Sequence, residues 1–374
     1  MATRPTKSIE WGTGAIPAGP AYSLAQKQAG YAVSQQPTAQ GNNDWQNGVY
    51  QWQQYLDADC LRRSVLAKIA TRTWNARSAA ATQSWNATAW APSLGLFCSV
   101  AANGTGVMTS PDGITWTSRT AASAQSWQSV CWSPTLSLFC AVANNGAAAV
   151  QVMTSPDGIT WTSRTAVGGG VSTWISVCWS PTLSLFCAVS NSGAGSAVMT
   201  SPDGIAWTSR TASFFPWQSL CWASGLGLFV VCAYGNNNIM TSPDGITWTN
   251  RTGTGVRLWT SIAYSPELNL LTCVAIDGTA AQQIQTSPDG INWTARTSPS
   301  VRIWVGLAWS PELSLWVATA TDGTAAQQIA ISTDGITWSL NGRSPSVNSW
   351  TSLVWAPELA MFCGVSSSAV MTSL

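Results

Sequence analysis

From residue 72 onward, apolar positions fall in short runs separated by turn residues, and the same order of runs keeps returning. One unit reads from Trp127 to Thr165. Trp127-Gln128-Ser129-Val130-Cys131-Trp132 predicts a first strand, A. The turn Ser133-Pro134-Thr135 leads to strand B, Leu136 to Val142. A looser loop, Ala143 to Ala149, precedes strand C, Val150 to Thr154. The turn Ser155-Pro156-Asp157-Gly158 then enters strand D, Ile159 to Thr165. Strands A and B are apolar on both faces, the pattern of strands covered from either side. Strand D alternates, as an outer edge strand does. Pro, Asp and Gly in that order predict a type I turn followed by a residue of positive φ, with the Asp carboxylate accepting bonds from its own backbone.

The tryptophans fix the period. The strand-D series is Trp116, Trp161, Trp207, Trp248, Trp293 and Trp338, with an orphan copy upstream at Trp74, and its gaps run from 41 to 46 residues. A second series, Trp85, Trp127, Trp174, Trp217, Trp259, Trp304 and Trp350, opens each strand A. A third, Trp90, Trp132, Trp179, Trp222, Tyr264, Trp309 and Trp355, closes it. Together they hold 20 of the 24 tryptophans, which makes the indoles a packing device repeated per unit. Only Trp11, Trp45, Trp52 and Trp316 stand outside. A repeat of this length made only of short strands is a propeller blade. The C-terminal Val370-Met371-Thr372-Ser373-Leu374 stops before strand D, and residues 72–78 offer the missing strand. The expectation is an all-β, seven-bladed propeller of four-stranded blades over 72–374, its ring closed by residues 72–78.

The turn Ser110-Pro111-Asp112-Gly113-Ile114-Thr115-Trp116 resembles the Asp box of sialidase-like propellers, one residue shorter. In that family the box is a structural turn between the third and fourth strands, away from the active site. The resemblance therefore implies fold and not catalysis.

Composition narrows the function. Charged residues are 8%, the net charge is +1, there is no histidine, and no lysine follows Lys68. Phosphate binding needs clustered basic residues, so no nucleic-acid partner is expected. No apolar run is long enough to cross a membrane as a helix. The start lacks the apolar core of a secretory signal. Ser-His-Asp and Cys-His chemistry is excluded. The ten cysteines could pair across A–B hairpins, as Cys131 with Cys140 and Cys178 with Cys187. Equivalent positions elsewhere hold Ala, Val or Thr, so small buried thiols are expected instead. Zinc would need four thiolates together, which the repeats do not supply. No catalytic residue, metal site or cofactor is expected.

The acidic residues are nearly all accounted for by turns. Asp112, Asp157, Asp203, Asp244, Asp289 and Asp334 occupy the C–D turns, and Glu267, Glu312 and Glu358 the last three A–B turns. Asp277 and Asp322 remain, in matching B–C loops. Glycoside hydrolysis uses two carboxylates across a cleft, and this pair is the one candidate for it. Variation among repeats lies in the D–A and B–C loops, which alternation puts on one face. Phe214, Phe215, Tyr234, Asn236, Asn237, Arg257, Asp277, Arg302 and Asp322 there form a candidate receptor-binding set, beside the Gln282-Gln283 and Gln327-Gln328 pairs. The alternative for Phe214 and Phe215 is that they plug a gap between blades.

The first 71 residues depart from the repeat. Residues 1–41 read as extended and 42–70 as helical, with Asn42-Asn43-Asp44 as cap. Trp45, Val49, Trp52 and Leu56 form an apolar stripe over three turns, which Gly48 weakens, so partner packing must hold it. The run from Gln36-Pro37-Thr38-Ala39 through Asp44-Trp45-Gln46-Asn47-Gly48-Val49-Tyr50-Gln51-Trp52 to Asp57 resembles the N-terminal virion-attachment segment of tailed-bacteriophage tail-fibre and tailspike proteins. The Met-Thr-Ser-Pro-Asp-Gly-Ile-Thr-Trp repeats are also similar to those of phage tail proteins. This resemblance implies a structural appendage in the virion tail. It would be anchored to other tail proteins through residues 1–71, homo-oligomeric with a trimer favoured, and would bind a host surface glycan or protein without turnover. The alternatives are a tail-associated, sialidase-like glycan-degrading enzyme and a non-viral scaffold propeller that resembles photosystem assembly factors.

Overall fold

The computed structural model describes residues 73–167, 173–192 and 197–373. The expected helix, with its Trp45, Val49, Trp52 and Leu56 stripe, lies outside them, as does Cys60. Among the described residues, regular structure is β-strand apart from five single 3-10 turns. The fold is a β-propeller of four-stranded blades.

In each repeat the inner strand pairs with the next in a tight hairpin, as Trp127–Ser133 with Leu138–Ala143. Strand C follows as Val152–Ser155 and strand D as Thr162–Arg164. The seven strands that begin or continue from Trp85, Trp127, Trp174, Trp217, Trp259, Trp304 and Trp350 lie side by side, and the last returns to the first. Closure is by the expected clasp. Trp74–Ser78 pairs antiparallel with Ala369–Ser373, from Trp74 opposite Ser373 to Ser78 opposite Ala369. Trp74 is buried and stacks on Phe362 at 6.2 Å. Arg77 donates from Nε to Thr372 Oγ1 at 3.1 Å, the same bond that Arg119 makes to Thr109 inside an uninterrupted repeat.

The sheet count differs from expectation. Six hydrogen-bonded sheets are present, five of four strands and one of six, where seven separate sheets were expected. The cause is two long strands, Leu228–Ser242 and Thr249–Ser265. Most D–A connections are broken before the inner strand, several by proline, as at Pro216, Pro299 and Pro345. Along residues 249–265 the outer strand of one repeat runs on without a break into the inner strand of the next.

Each inner strand is bulged directly after its first tryptophan, as between Trp127 and Ser129 and between Trp259 and Ser261. A bulge re-aims the side chains that follow. Asn86, Gln128, Gln218, Thr260 and Thr351 thereby line the central channel. After four of the seven bulges a serine links neighbouring repeats: Ser129, Ser176, Ser219 and Ser352 accept the backbone N–H of Val177, Leu220, Ile262 and Thr88, each at 3.2 Å.

The core lies between sheets. The first tryptophan of every inner strand is fully buried. Behind it, an A-strand indole, a B-strand phenyl and the indole after the C–D turn stack in series, as Trp132–Phe139 at 4.6 Å and Phe139–Trp161 at 6.3 Å. Trp316, outside the series by sequence, takes the place of that phenylalanine beside Trp309 at 5.2 Å. The nine described cysteines are free thiols, including Cys131 opposite Cys140 and Cys178 opposite Cys187.

Candidate functional site

The D–A and B–C loops share a face and are stitched to each other. The first N–H beyond strand B donates to the carbonyl just before the inner tryptophan: Asn144 to Ser126 at 3.1 Å, Tyr234 to Pro216 at 2.8 Å, Ile276 to Leu258 at 3.1 Å and Thr321 to Ile303 at 3.0 Å.

The structure gathers part of the predicted set. Tyr234 stands opposite Leu258 and Asn236 opposite Arg257 on the paired long strands, and Leu258 donates its N–H to Asp277 Oδ1 at 2.7 Å. Tyr234, Asn236, Arg257 and Asp277 therefore form one neighbourhood. Asn237, half-buried, follows on the same strand. Phe214 is exposed. Phe215 is half-buried and packs edge-on against Trp217 at 5.5 Å, against the core cluster.

Arg302 and Asp322 repeat the arrangement in the next unit. Ile303 donates to Asp322 Oδ1 at 2.7 Å, and Arg302 Nη1 lies 4.0 Å from Asp322 Oδ2. Each arginine folds over a glycine. A Cβ at Gly278 would stand 2.6 Å from Arg257 Nε, and one at Gly323 would stand 2.6 Å from Arg302 Nε. Both glycines have φ near +90° (+94° and +89°), a conformation side chains resist. One oxygen of each aspartate is thus committed to holding a loop. The glutamine pairs are also structural. Gln282 and Gln327 close capping boxes with Thr279 and Thr324. Gln283 and Gln328 are buried and clamp the next loop, donating to Arg302 O and Asn348 O at 2.6 Å each.

Sequence reading missed an apolar arc on this face. Three residues before the inner tryptophan stand Phe214, Val256, Val301 and Val347 in four consecutive repeats, exposed by 48%, 58%, 51% and 63%. Thr82 and Ala124 hold the same place in the first two repeats. The constant offset from tryptophan was the available signal.

The opposite face is acidic. Its A–B and C–D turns hold all nine turn carboxylates and no arginine or lysine. In the first C–D turn, Ser110 Oγ donates to Asp112 Oδ1 at 2.9 Å and accepts Gly113 N–H at 2.8 Å. Asp112 Oδ1 also accepts from Ile114 and Thr115, and Gly113 has φ +69°. The pattern recurs in six turns. Burial works against ionisation of Asp112, Asp157, Asp203, Asp244 and Asp334, but the N–H and hydroxyl donors outweigh it and hold these carboxyls below the ordinary range. Asp289, led by the Asn292 N–H, is held at about 2. Among the described residues, no group of three or more His, Cys, Asp or Glu is placed to hold a metal, and no helix is long and apolar enough to cross a membrane.

No protein-family model and no curated protein matches the sequence. The fold is similar to solved propellers. A streptogramin B lyase aligns with TM-score 0.68 at 9% identity, over 81% of this chain and 97% of its own. A catalytically inactive His-to-Ala variant of virginiamycin B lyase from Staphylococcus aureus, with quinupristin, gives 0.68 at 9% identity, over 81% and 99%. A chain of the mitotic checkpoint complex gives 0.59 at 16% identity, over 77% and 86%. At these identities the likeness concerns the fold alone.

Proposed function

We propose that this chain is a structural appendage of a tailed-phage virion, anchored to other tail proteins through residues 1–71 and binding a host surface receptor on the D–A/B–C face. The observation that carries the binding face is the exposed arc of Phe214, Val256, Val301 and Val347 beside Tyr234, Asn236 and Arg257. Individuality among repeats is concentrated there, while the other face repeats one turn six times. Exposed apolar residues next to amides and a guanidinium suit a glycan ring or a protein loop. Each contact is weak, and avidity from several copies, a trimer being favoured, carries adhesion. The anchor rests on the resemblance of residues 36–57 and on the Trp45, Val49, Trp52 and Leu56 stripe.

The receptor is bound and not turned over. Asp277 and Asp322 each hold their own loop through a backbone N–H bonded to one oxygen, which supports a structural use of both. The lyase whose His-to-Ala variant is inactive uses a residue type absent here. We count the ring as seven blades. Support comes from the six-stranded sheet, in which inner-strand hairpins open at both Trp217 and Trp259.

Replacing Phe214, Val256 and Val301 with Ser lowers phage adsorption at least tenfold while particles assemble normally. Unchanged adsorption removes the site. Sugar fragments released by wild type and lost in Asp277→Asn replace binding with glycan hydrolysis.

A further inference from the structure

A large apolar side chain stands in the open at the same place in six C–D turns. Ile114, Ile159, Ile205, Ile246, Ile291 and Ile336 each follow the turn glycine and are exposed by 44% to 51%. The turn engages their backbone: each N–H donates to Oδ1 of the turn aspartate at 2.7 or 2.8 Å. That bond sets no requirement on the side chain, and a threonine would keep it. Single exposed apolar residues are ordinary, but the same one at one place around a ring is not. Leu94, Leu136 and Leu359, in A–B turns of the same face, are exposed as well.

The apolar ring is set among charges of one sign. A turn aspartate stands two residues before each isoleucine. Glu267, Glu312 and Glu358 share the face, and each accepts the indole N–H of the next repeat, from Trp309 at 2.6 Å, Trp355 at 2.7 Å and Trp90 at 2.6 Å. With no arginine or lysine in these turns, the charge selects the occupant. A second copy offering the same face would set nine carboxylates against nine, and nucleic acid or anionic lipid would meet the same repulsion. A cationic protein surface with apolar side chains of its own matches both features.

The polypeptide also enters the propeller on this face. Trp74 takes the place of the tryptophan that follows each C–D turn, and it pairs with Ser373, the counterpart of the serine that opens those turns. Thr73 therefore stands where a seventh turn would be, on the face opposite the Phe214, Val256, Val301 and Val347 arc.

We propose that the acidic face is a docking surface for a protein that presents lysines or arginines around an apolar patch. The isoleucine ring makes the apolar contact and the turn carboxylates the ionic one. The ionic part steers the encounter and is screened by salt. This surface is separate from the receptor face and does not depend on it. The partner's identity alone rests on the anchoring proposed above, under which it is a tail protein beside the attachment point.

The test is titration of a fluorescently labelled, alternating Leu-Lys peptide with the full-length chain, followed by anisotropy, with alternating Ser-Lys and Leu-Glu peptides as controls. The expected result is saturable binding of Leu-Lys that weakens with salt, binding of Ser-Lys about tenfold weaker, and none of Leu-Glu. The triple variant Ile205→Thr, Ile246→Thr, Ile291→Thr binds Leu-Lys about tenfold less tightly than wild type. Absent binding of Leu-Lys, equal binding of Ser-Lys, binding of Leu-Glu, or unchanged binding in the triple variant overturns the proposal. So does self-association of the unaltered chain, seen by sedimentation and abolished in the triple variant, which would assign the face to a second copy. The comparison of peptides on the unaltered protein decides the matter even where the variant fails to fold. Phage adsorption reads the opposite face, so either reading fails without the other.

Discussion

Glu312 Oε2 accepts the indole N–H of Trp355 at 2.7 Å, across the boundary between two consecutive repeats. The bond is charge-assisted and half-buried, and it ties the A–B turn of one repeat to the inner strand of the next. Hydrogen bonds to charged groups contribute about 1.5–3 kcal/mol. Glu312→Ala lowers unfolding free energy by an amount in that range, measured by urea denaturation. Thr135→Glu supplies the acceptor that Trp179 lacks and raises the melting temperature. No gain in Thr135→Glu would show that the geometry of the three Glu–Trp pairs does not transfer.

The clasp makes a second prediction. Removing residues 1–80 deletes the strand Trp74–Ser78, bares the edge of Ala369–Ser373 and takes away the Trp74–Phe362 contact. Removing residues 1–68 leaves all three. The longer truncation therefore melts lower and aggregates sooner. Trp74→Ala alone costs about 3–5 kcal/mol, the range for a large buried aromatic.

Acid weakens the turns. The six C–D aspartates are more acidic folded than unfolded, so between those two pKa values the unfolded chain binds more protons. Their contribution is complete above about pH 4 and is lost as pH falls toward 2, where Asp289 itself protonates. Wild type is more stable than Asp289→Asn at pH 7, and the difference shrinks as pH falls from about 4 through about 2. Urea denaturation at a series of pH values measures it.

The thiols report on global unfolding. Burial pushes the thiols of Cys98, Cys131, Cys140, Cys178, Cys187, Cys221, Cys273 and Cys363 far above the usual cysteine range. Thiolate, the reactive form, is thus scarce in the folded state. Alkylating agents leave these cysteines unlabelled in native protein and modify all of them in urea without reductant. Mass spectrometry that finds a Cys131–Cys140 or Cys178–Cys187 cross-link contradicts this.

Much of the fold is legible in the chain because the tryptophans are spaced by the architecture itself. Register, turn chemistry and the closing strand all follow from counting between indoles. The continuity of residues 249–265 is less visible. Absence of proline does not mark it, since residues 117–133 also lack proline and form two separate strands. The capping boxes were readable from Thr279-Ala280-Ala281-Gln282 and Thr324-Ala325-Ala326-Gln327, whose polar ends read equally well as surface contacts. The candidate site was less legible still. Residue type identifies Asp277 as an acceptor but does not say that the Leu258 N–H has already claimed it. Val256, Val301 and Val347 escape notice because lone valines in loops carry no chemical mark, and their meaning comes from standing in line with Phe214.

The seam between Trp74–Ser78 and Ala369–Ser373 also decides how the molecule carries load. A pull transmitted along the residues before Trp74 enters the ring at this outermost strand, where five residues and the Arg77–Thr372 bond hold it. The inner strands are gripped on both sides by neighbours, so the seam gives way first. Under the proposed anchoring through residues 1–71, tension would unfasten the ring at this one place, and the seam would act as a mechanical fuse.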